Sequence, residues 1–124
     1  MNKTEIENLE KTIGQLEGLH TEIGALARKS PNDALNKFKL GFVNAVLAKA
    51  NEVLGEAYQP FPDFSQFDGD DVPSNSDVTL ILAQYLEEME RKRADNIKMS
   101  GGRWVYADEQ EIKTSAPKKI IGRR

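Results

Sequence analysis

Between residues 50 and 90 the chain has no lysine or arginine, while ten carboxylates crowd the same stretch: Glu52, Glu56, Asp63, Asp68, Asp70, Asp71, Asp77, Glu87, Glu88 and Glu90. Cysteine is missing throughout, and histidine and tryptophan occur once each. Without cysteine there is no disulfide scaffold, no thiolate metal site and no thiol nucleophile. His20 has no cysteine, second histidine or serine-centred turn motif to pair with, so it reads as a structural or surface residue. There is no phosphate-cradling glycine loop: Gly101-Gly102 follows a predicted helix and does not open one. No apolar run approaches the roughly 18 residues of a membrane span. Met1-Asn2-Lys3-Thr4-Glu5 lacks the apolar stretch of a signal peptide. These absences predict a cytoplasmic protein with no membrane partner, no cofactor, no metal site and no catalytic residues.

What is present is charge separation. Residues 1–49 carry seven basic and six acidic groups, and residues 91–124 carry ten basic groups against Asp95, Asp108, Glu109 and Glu111. The net charge of −3 therefore hides a strongly dipolar layout, and layout governs the choice of partner more than the total does. A chain of 124 residues is one domain with room for a real core. The reading is a single helical domain over 1–116, followed by a basic tail over 117–124.

Three helices are predicted. Thr4 with Glu7 reads as a capping box opening the first. Ile6, Leu9, Ile13, Leu16, Ile23 and Leu26 follow at helical spacing, to a stop near Lys29. Gly14 and Gly18, continued by Thr21 and Ala25, form a small-residue stripe on that helix. Such a stripe admits another helix closely and is a candidate homo-oligomer contact; the competing reading is a locally weak helix. Ser30-Pro31-Asn32-Asp33 marks the next boundary, with Ser30 as cap and Pro31 in the first turn. The second helix is then expected to run to about Tyr58. It has two apolar stripes: Leu35, Phe38, Phe42, Ala45, Val46, Val53, interrupted by Lys49 and so expected to reach solvent near its C-terminal end unless the lysine stem snorkels, and Leu40, Val43, Leu47, Ala50, Leu54, Tyr58. Two stripes predict a wide buried arc, a central helix, and burial of both Phe42 and Leu47. Pro60, Pro62, Gly69 and Pro73 exclude a regular helix over 59–74. A third helix starts at Ser74 or Ser76, with Val78, Leu82, Tyr85, Leu86 and Met89 on its buried face, and ends before Gly101. Trp104-Val105-Tyr106 and Ile112-Lys113-Thr114 then read as a hairpin around Asp108-Glu109-Gln110. The expected fold is mainly α: a three-helix bundle with a small C-terminal β-hairpin.

Two groups of side chains are candidates for function. Tyr58, Phe61, Phe64 and Phe67 stand three apart in a proline-punctuated segment, beside Asp63, Asp68, Asp70 and Asp71. Aromatic residues supply binding hot spots, but they equally serve to pin a long loop across a bundle. The aspartates fail the EF-hand spacing, with glycine second and proline sixth, and read as a solvated acidic turn. The other group is basic: Arg91, Lys92, Arg93, Lys98, Arg103, Lys118 and Lys119, with Arg123 and Arg124 beyond and Trp104 and Tyr106 as stacking platforms for nucleic acid. Glu111-Ile112-Lys113 with Asp108 has the acid-x-Lys pattern of metal-dependent nucleases, without the separate strand that would carry a second acid.

The functional expectation is a non-catalytic interaction protein, an inhibitor or regulator. It would present an acidic, aromatic-anchored surface over 52–90 to a basic protein partner, such as one that handles nucleic acid. The alternative is an accessory nucleic-acid-binding subunit using the basic C-terminal third. A third reading, a metal-dependent hydrolase, rests on the aspartates.

Overall fold

The computed structural model describes residues 1–118. Three helices, α1 (Lys3–Lys29), α2 (Lys37–Tyr58) and α3 (Asn75–Asp95), precede a two-stranded antiparallel hairpin, β1 (Ile97–Ser100) and β2 (Arg103–Tyr106). This is the mainly α bundle with a C-terminal hairpin that the residue pattern predicts.

Each helix begins with a side chain that satisfies orphan backbone N–H groups. The capping box of α1 is one pair earlier than predicted. Asn2 accepts from the Glu5 N–H while its own N–H donates to Glu5 Oε1, both at 2.8 Å. At the other end of α1, Arg28 and Lys29 lie in the last turn, where the helix dipole favours positive charge. The start of α2 is also corrected. Asn36, and not Ser30, is the cap, accepting from the Phe38 and Lys39 N–H groups at 2.8 and 3.2 Å. Residues 31–35 are instead committed to the start of α3. The carbonyls of Asp33 and Pro31 accept from the N–H groups of Asn75 and Ser76, at 2.9 and 3.1 Å. Leu35 N–H donates to the Pro73 carbonyl at 2.9 Å, and the Asn75 side chain reaches the Ser30 carbonyl at 3.0 Å. Ser74 caps α3 by accepting from the Asp77 N–H.

The core is built from Ile6, Leu9, Leu16 and Ile23 of α1, Leu40, Val43, Leu47, Ala50 and Leu54 of α2, and Val78, Leu82, Tyr85 and Met89 of α3, closed by Leu35 and Tyr106. Burying a Leu or Ile side chain fully stabilises by about 1.5–3 kcal/mol, so this set is the principal source of stability. α1 packs most extensively against α3. The prediction of a central, doubly buried α2 is therefore wrong. Its Leu40–Leu54 stripe is fully inside; of the other stripe Leu35 is buried and Val46 and Val53 are half-buried against the core, but Phe38 is 73% exposed and Phe42 54%. α2 also changes course at Gly55, whose φ of 65° breaks the helical geometry three residues before its end. The Lys92 ammonium donates to the Val53 carbonyl there, capping the last regular turn.

The hairpin differs in register from the prediction. Its turn is Gly101-Gly102, with φ of 58° and 80°, a pair of positive values that a two-residue primed turn demands and glycine supplies without strain. Ile97 pairs with Tyr106 and Ser100 with Arg103. The predicted second strand survives as a single bridge, Val105 to Lys113, with Tyr106 N–H to Ile112 carbonyl and Thr114 N–H to Trp104 carbonyl around it.

Candidate functional site

The segment joining α2 to α3 passes over the bundle with its aromatic side chains inward and its carboxylates outward. Phe64 and Phe67 are half-buried and meet edge to face at 5.0 Å between centroids, and Phe64 also meets the Tyr85 ring at 6.5 Å. Two asparagines of α2 hold the backbone. Asn44 clamps Phe67 from both sides, donating to its carbonyl at 3.0 Å and accepting from its N–H at 2.9 Å. Asn51 donates to the Ser65 carbonyl at 2.9 Å and accepts from the Tyr85 hydroxyl at 2.7 Å. Burial is the larger influence on that phenol and raises its pKa, while the Asn51 hydrogen bond acts in the opposite sense. Tyr58 is half-buried, its hydroxyl donating to Asp95 at 2.7 Å; Phe61 is half-buried as well. Tyr58, Phe64 and Phe67 pack against the core and thus fasten the segment as a strap.

The acids lie on the outer side of that strap. Asp63, Asp68, Asp70, Asp71 and Asp77 are all exposed, and among the described residues none of them is in an ion pair. Asp68 accepts from the Asp70 N–H at 2.9 Å, which sets the turn. Asp68, Asp71 and Asp77 rim a shallow cleft whose walls include Phe67, Val72, Pro73 and Ile81. Carboxylates above an apolar floor suit a lysine or arginine, whose methylene stem prefers apolar contact and whose head seeks anions. Among the described residues, no three His, Asp or Glu side chains converge to hold a metal ion.

The basic group is dispersed. Arg93 is 2% exposed, and its three guanidinium nitrogens donate to Glu90 twice, Thr114 Oγ1, and the carbonyls of Ser115 and Ala116, at 2.8–2.9 Å. All five of its N–H donors are spent within the chain. Burial works against its charge, but the Glu90 hydrogen bonds and charge outweigh that and hold its pKa above the ordinary arginine value. Arg91 pairs with Glu88 at 3.2 Å, Lys98 with Glu111 at 3.8 Å and Lys118 with Glu17 at 3.7 Å. Arg103 is exposed and Trp104 half-buried. Lys119, Arg123 and Arg124 lie outside the described residues. Tyr106, on β2, is buried, and its hydroxyl has no hydrogen-bond partner among the described residues. Burial first, and the Glu10 carboxylate second, push its pKa up, so it remains a neutral phenol. His20 lines a cleft with Gly24, Arg28 and Thr79, away from any carboxylate of that cleft's lining. Asp108 accepts from the Gln110 N–H in a turn, and Glu111 accepts from the Ser100 hydroxyl, so the acid-x-Lys pattern is spent on shaping the chain after β2.

The surface that residue-level reasoning missed is on α2. Phe38 and Phe42 meet edge to face at 4.9 Å in the open. Phe42, Ala45, Val46 and Lys49 line one side of a groove whose other side is Asn8, Lys11, Thr12 and Gln15 of α1. The signal was the stripe through Phe38 and Phe42; Lys49, which interrupts it, points to solvent near its C-terminal end, but nothing marks the two phenylalanines as facing outward.

No protein-family model, no curated protein and no solved structure matches the chain.

Proposed function

We propose that the protein is a non-catalytic interaction module, an inhibitor or regulator, that holds a basic protein segment on the acidic strap and the start of α3. The observation that carries this reading is the orientation of the 59–74 segment: Asn44 and Asn51 fasten its backbone at Phe67 and Ser65, and its aspartates stand outward with no ion-pair partner among the described residues. A rigid row of unneutralised carboxylates attracts a partner of opposite sign and speeds its encounter. The cleft rimmed by Asp68, Asp71 and Asp77 then receives a lysine or arginine head, its stem on Val72 and Ile81. The competing nucleic-acid reading has less to draw on. Arg93 has no donor left for a phosphate and Arg91 is held by Glu88 at 3.2 Å, while Lys98 and Lys118 meet Glu111 and Glu17 only in exposed pairs that solvent screens.

The test uses a lysine- and arginine-rich peptide and a generic DNA duplex as probes for the full chain. The peptide is expected to associate in a salt-dependent manner. Changing Asp68, Asp70 and Asp71 together to Asn should slow its association by roughly tenfold or more at low salt, with the helical circular-dichroism signal unchanged. Peptide association indifferent to the triple change overturns the reading, and salt-dependent binding of the duplex in its place favours the nucleic-acid subunit.

A further inference from the structure

α2 carries one apolar stripe more than its own bundle uses. Around its axis Leu40, Val43, Leu47, Ala50 and Leu54 face inward, whereas Phe38, Phe42, Ala45 and Lys49 recur at intervals of four, three and four on the outside. That interval keeps side chains on one line along a helix and is the spacing of a seam between two helices. The two phenylalanines are the most exposed aromatic residues of the described chain, and Phe42 lines a groove against α1. An isolated exposed apolar residue needs no explanation; two aromatics in contact, in line with an alanine and bordering a groove, make a patch of the kind that partners cover.

The electrostatics of the edge state what covers it. From Ala34 to Asn51 there is no acidic residue, and Lys37, Lys39 and Lys49 lie on that stretch of α2. Lys11 adds a fourth cation from α1 at the groove wall. Of these, Lys39 is taken up by Glu22 at 2.6 Å. Lys49 meets Glu52 only at 3.9 Å with both side chains more than half exposed, a pair that solvent screens and a partner easily exchanges. Lys11 and Lys37 are exposed. A second copy docking through the same stripe would set these lysines against their own images. An acidic helix would neutralise them while its apolar face covers Phe38, Phe42 and Ala45.

We propose that the outer stripe of α2, Phe38, Phe42, Ala45 and Lys49 with Lys11 and Lys37 at its edge, is the docking seam for an acidic amphipathic helix of another protein. This surface is separate from the acidic strap and opposite to it in sign. A molecule with both joins a basic segment to an acidic helix, which makes it a bridging module.

The proposal is tested with a displayed library of helical peptides that fixes apolar residues at four-three-four spacing and randomises the flanking positions. Selection on the full chain should enrich Asp and Glu at the flanks. Binding of the selected peptides should fall by roughly tenfold or more in the variant carrying both Phe38→Ala and Phe42→Ala, the loss usual for removing aromatic anchors. A variant carrying Lys37→Glu and Lys49→Glu keeps the apolar stripe and should reverse the flank preference toward lysine and arginine. Enrichment of neutral or basic flanks on the unaltered chain overturns the proposal, and so does binding indifferent to the aromatic change. Two direct measurements set the other occupants apart. Sedimentation showing a dimer that Phe42→Glu dissolves assigns the seam to a second copy and overturns the proposal. Flotation with anionic vesicles, lost in the Phe38 and Phe42 variant, assigns it to a lipid surface and overturns it equally.

Discussion

Phe64 with Phe67 and Phe38 with Phe42 are two edge-to-face pairs with nearly the same ring separation, 5.0 and 4.9 Å. One pair lies under a proline-broken loop and the other on a regular helix, and the intuitive assignment of roles is reversed. The loop pair is turned inward, because a segment without its own hydrogen-bond ladder has to be fastened, and Asn44, Asn51 and Tyr85 supply the fastening. The helix pair is turned outward, because a helix satisfies its own backbone and needs only one apolar face to join the bundle. Its second face is therefore left over for something else. Aromatic residues in a loop are not by that fact a binding surface, and aromatic residues on a helix are not by that fact core.

The sharpest way to break this comparison is along α2 itself. Leu47→Ala removes a fully buried side chain from the inner stripe and should cost about 2–5 kcal/mol in denaturant melts. Phe42→Ala on the outer stripe should change stability by no more than about 0.5 kcal/mol, like other surface substitutions. Equal losses at the two positions would mean that the outer stripe is buried and that the contrast drawn here is false.

A smaller effect is expected where the strap is fastened. Asn44→Ala leaves both backbone groups of Phe67 without their partner and should destabilise by about 1–3 kcal/mol. Amide exchange should quicken first over residues 61–72, with α1 unaffected at low denaturant. Uniform quickening across the chain would show that the loop is no separate unit.

The smallest change concerns the glycines of α1. A Cβ built on Gly14 or Gly18 meets nothing within 4 Å among the described residues, so both glycines face outward from them. Gly18→Ala should stabilise by up to about 1 kcal/mol through helix propensity alone. Loss of stability that depends on protein concentration would instead indicate that a second copy occupies that face.

The three helices were legible in the residues because the signals that make them are local: apolar spacing, a polar cap, and prolines or glycines between. The errors arise where two local readings compete and a distant contact decides. Ser30-Pro31 is as good a helix start as Asn36, but the carbonyls of residues 31 and 33 are claimed by α3, which postpones α2 to Lys37. Ile97-Lys98-Met99-Ser100 reads as a continuation of α3 until Gly101-Gly102 is recognised as a turn. The exposure of the aspartates followed from their composition. The burial of Arg93 did not, because within a run of cations nothing distinguishes the one that meets Glu90 and three groups from residues 114–116. Periodicity finds the two stripes of α2 but is symmetric between inside and outside, so Phe42 was placed wrongly.

The claim of residues 30–33 on the start of α3 bears on how the molecule acquires its structure. Asn75 finds the Ser30 carbonyl across 45 positions of sequence, and the neighbouring N–H groups look to Asp33 and Pro31. The first turn of α3 is therefore incomplete until the chain between has closed, and that closure carries an entropic cost before any reward arrives. Such a helix is expected to be completed late: α1 and α2 can pair through a short connection, while α3, capped locally by Ser74, has the N–H groups of Asn75 and Ser76 satisfied only once residues 31 and 33 are in place. The rate of folding should accordingly respond more to Asn75→Ala, which removes the side-chain contact to the Ser30 carbonyl, than the small share of Asn75 in the core would suggest.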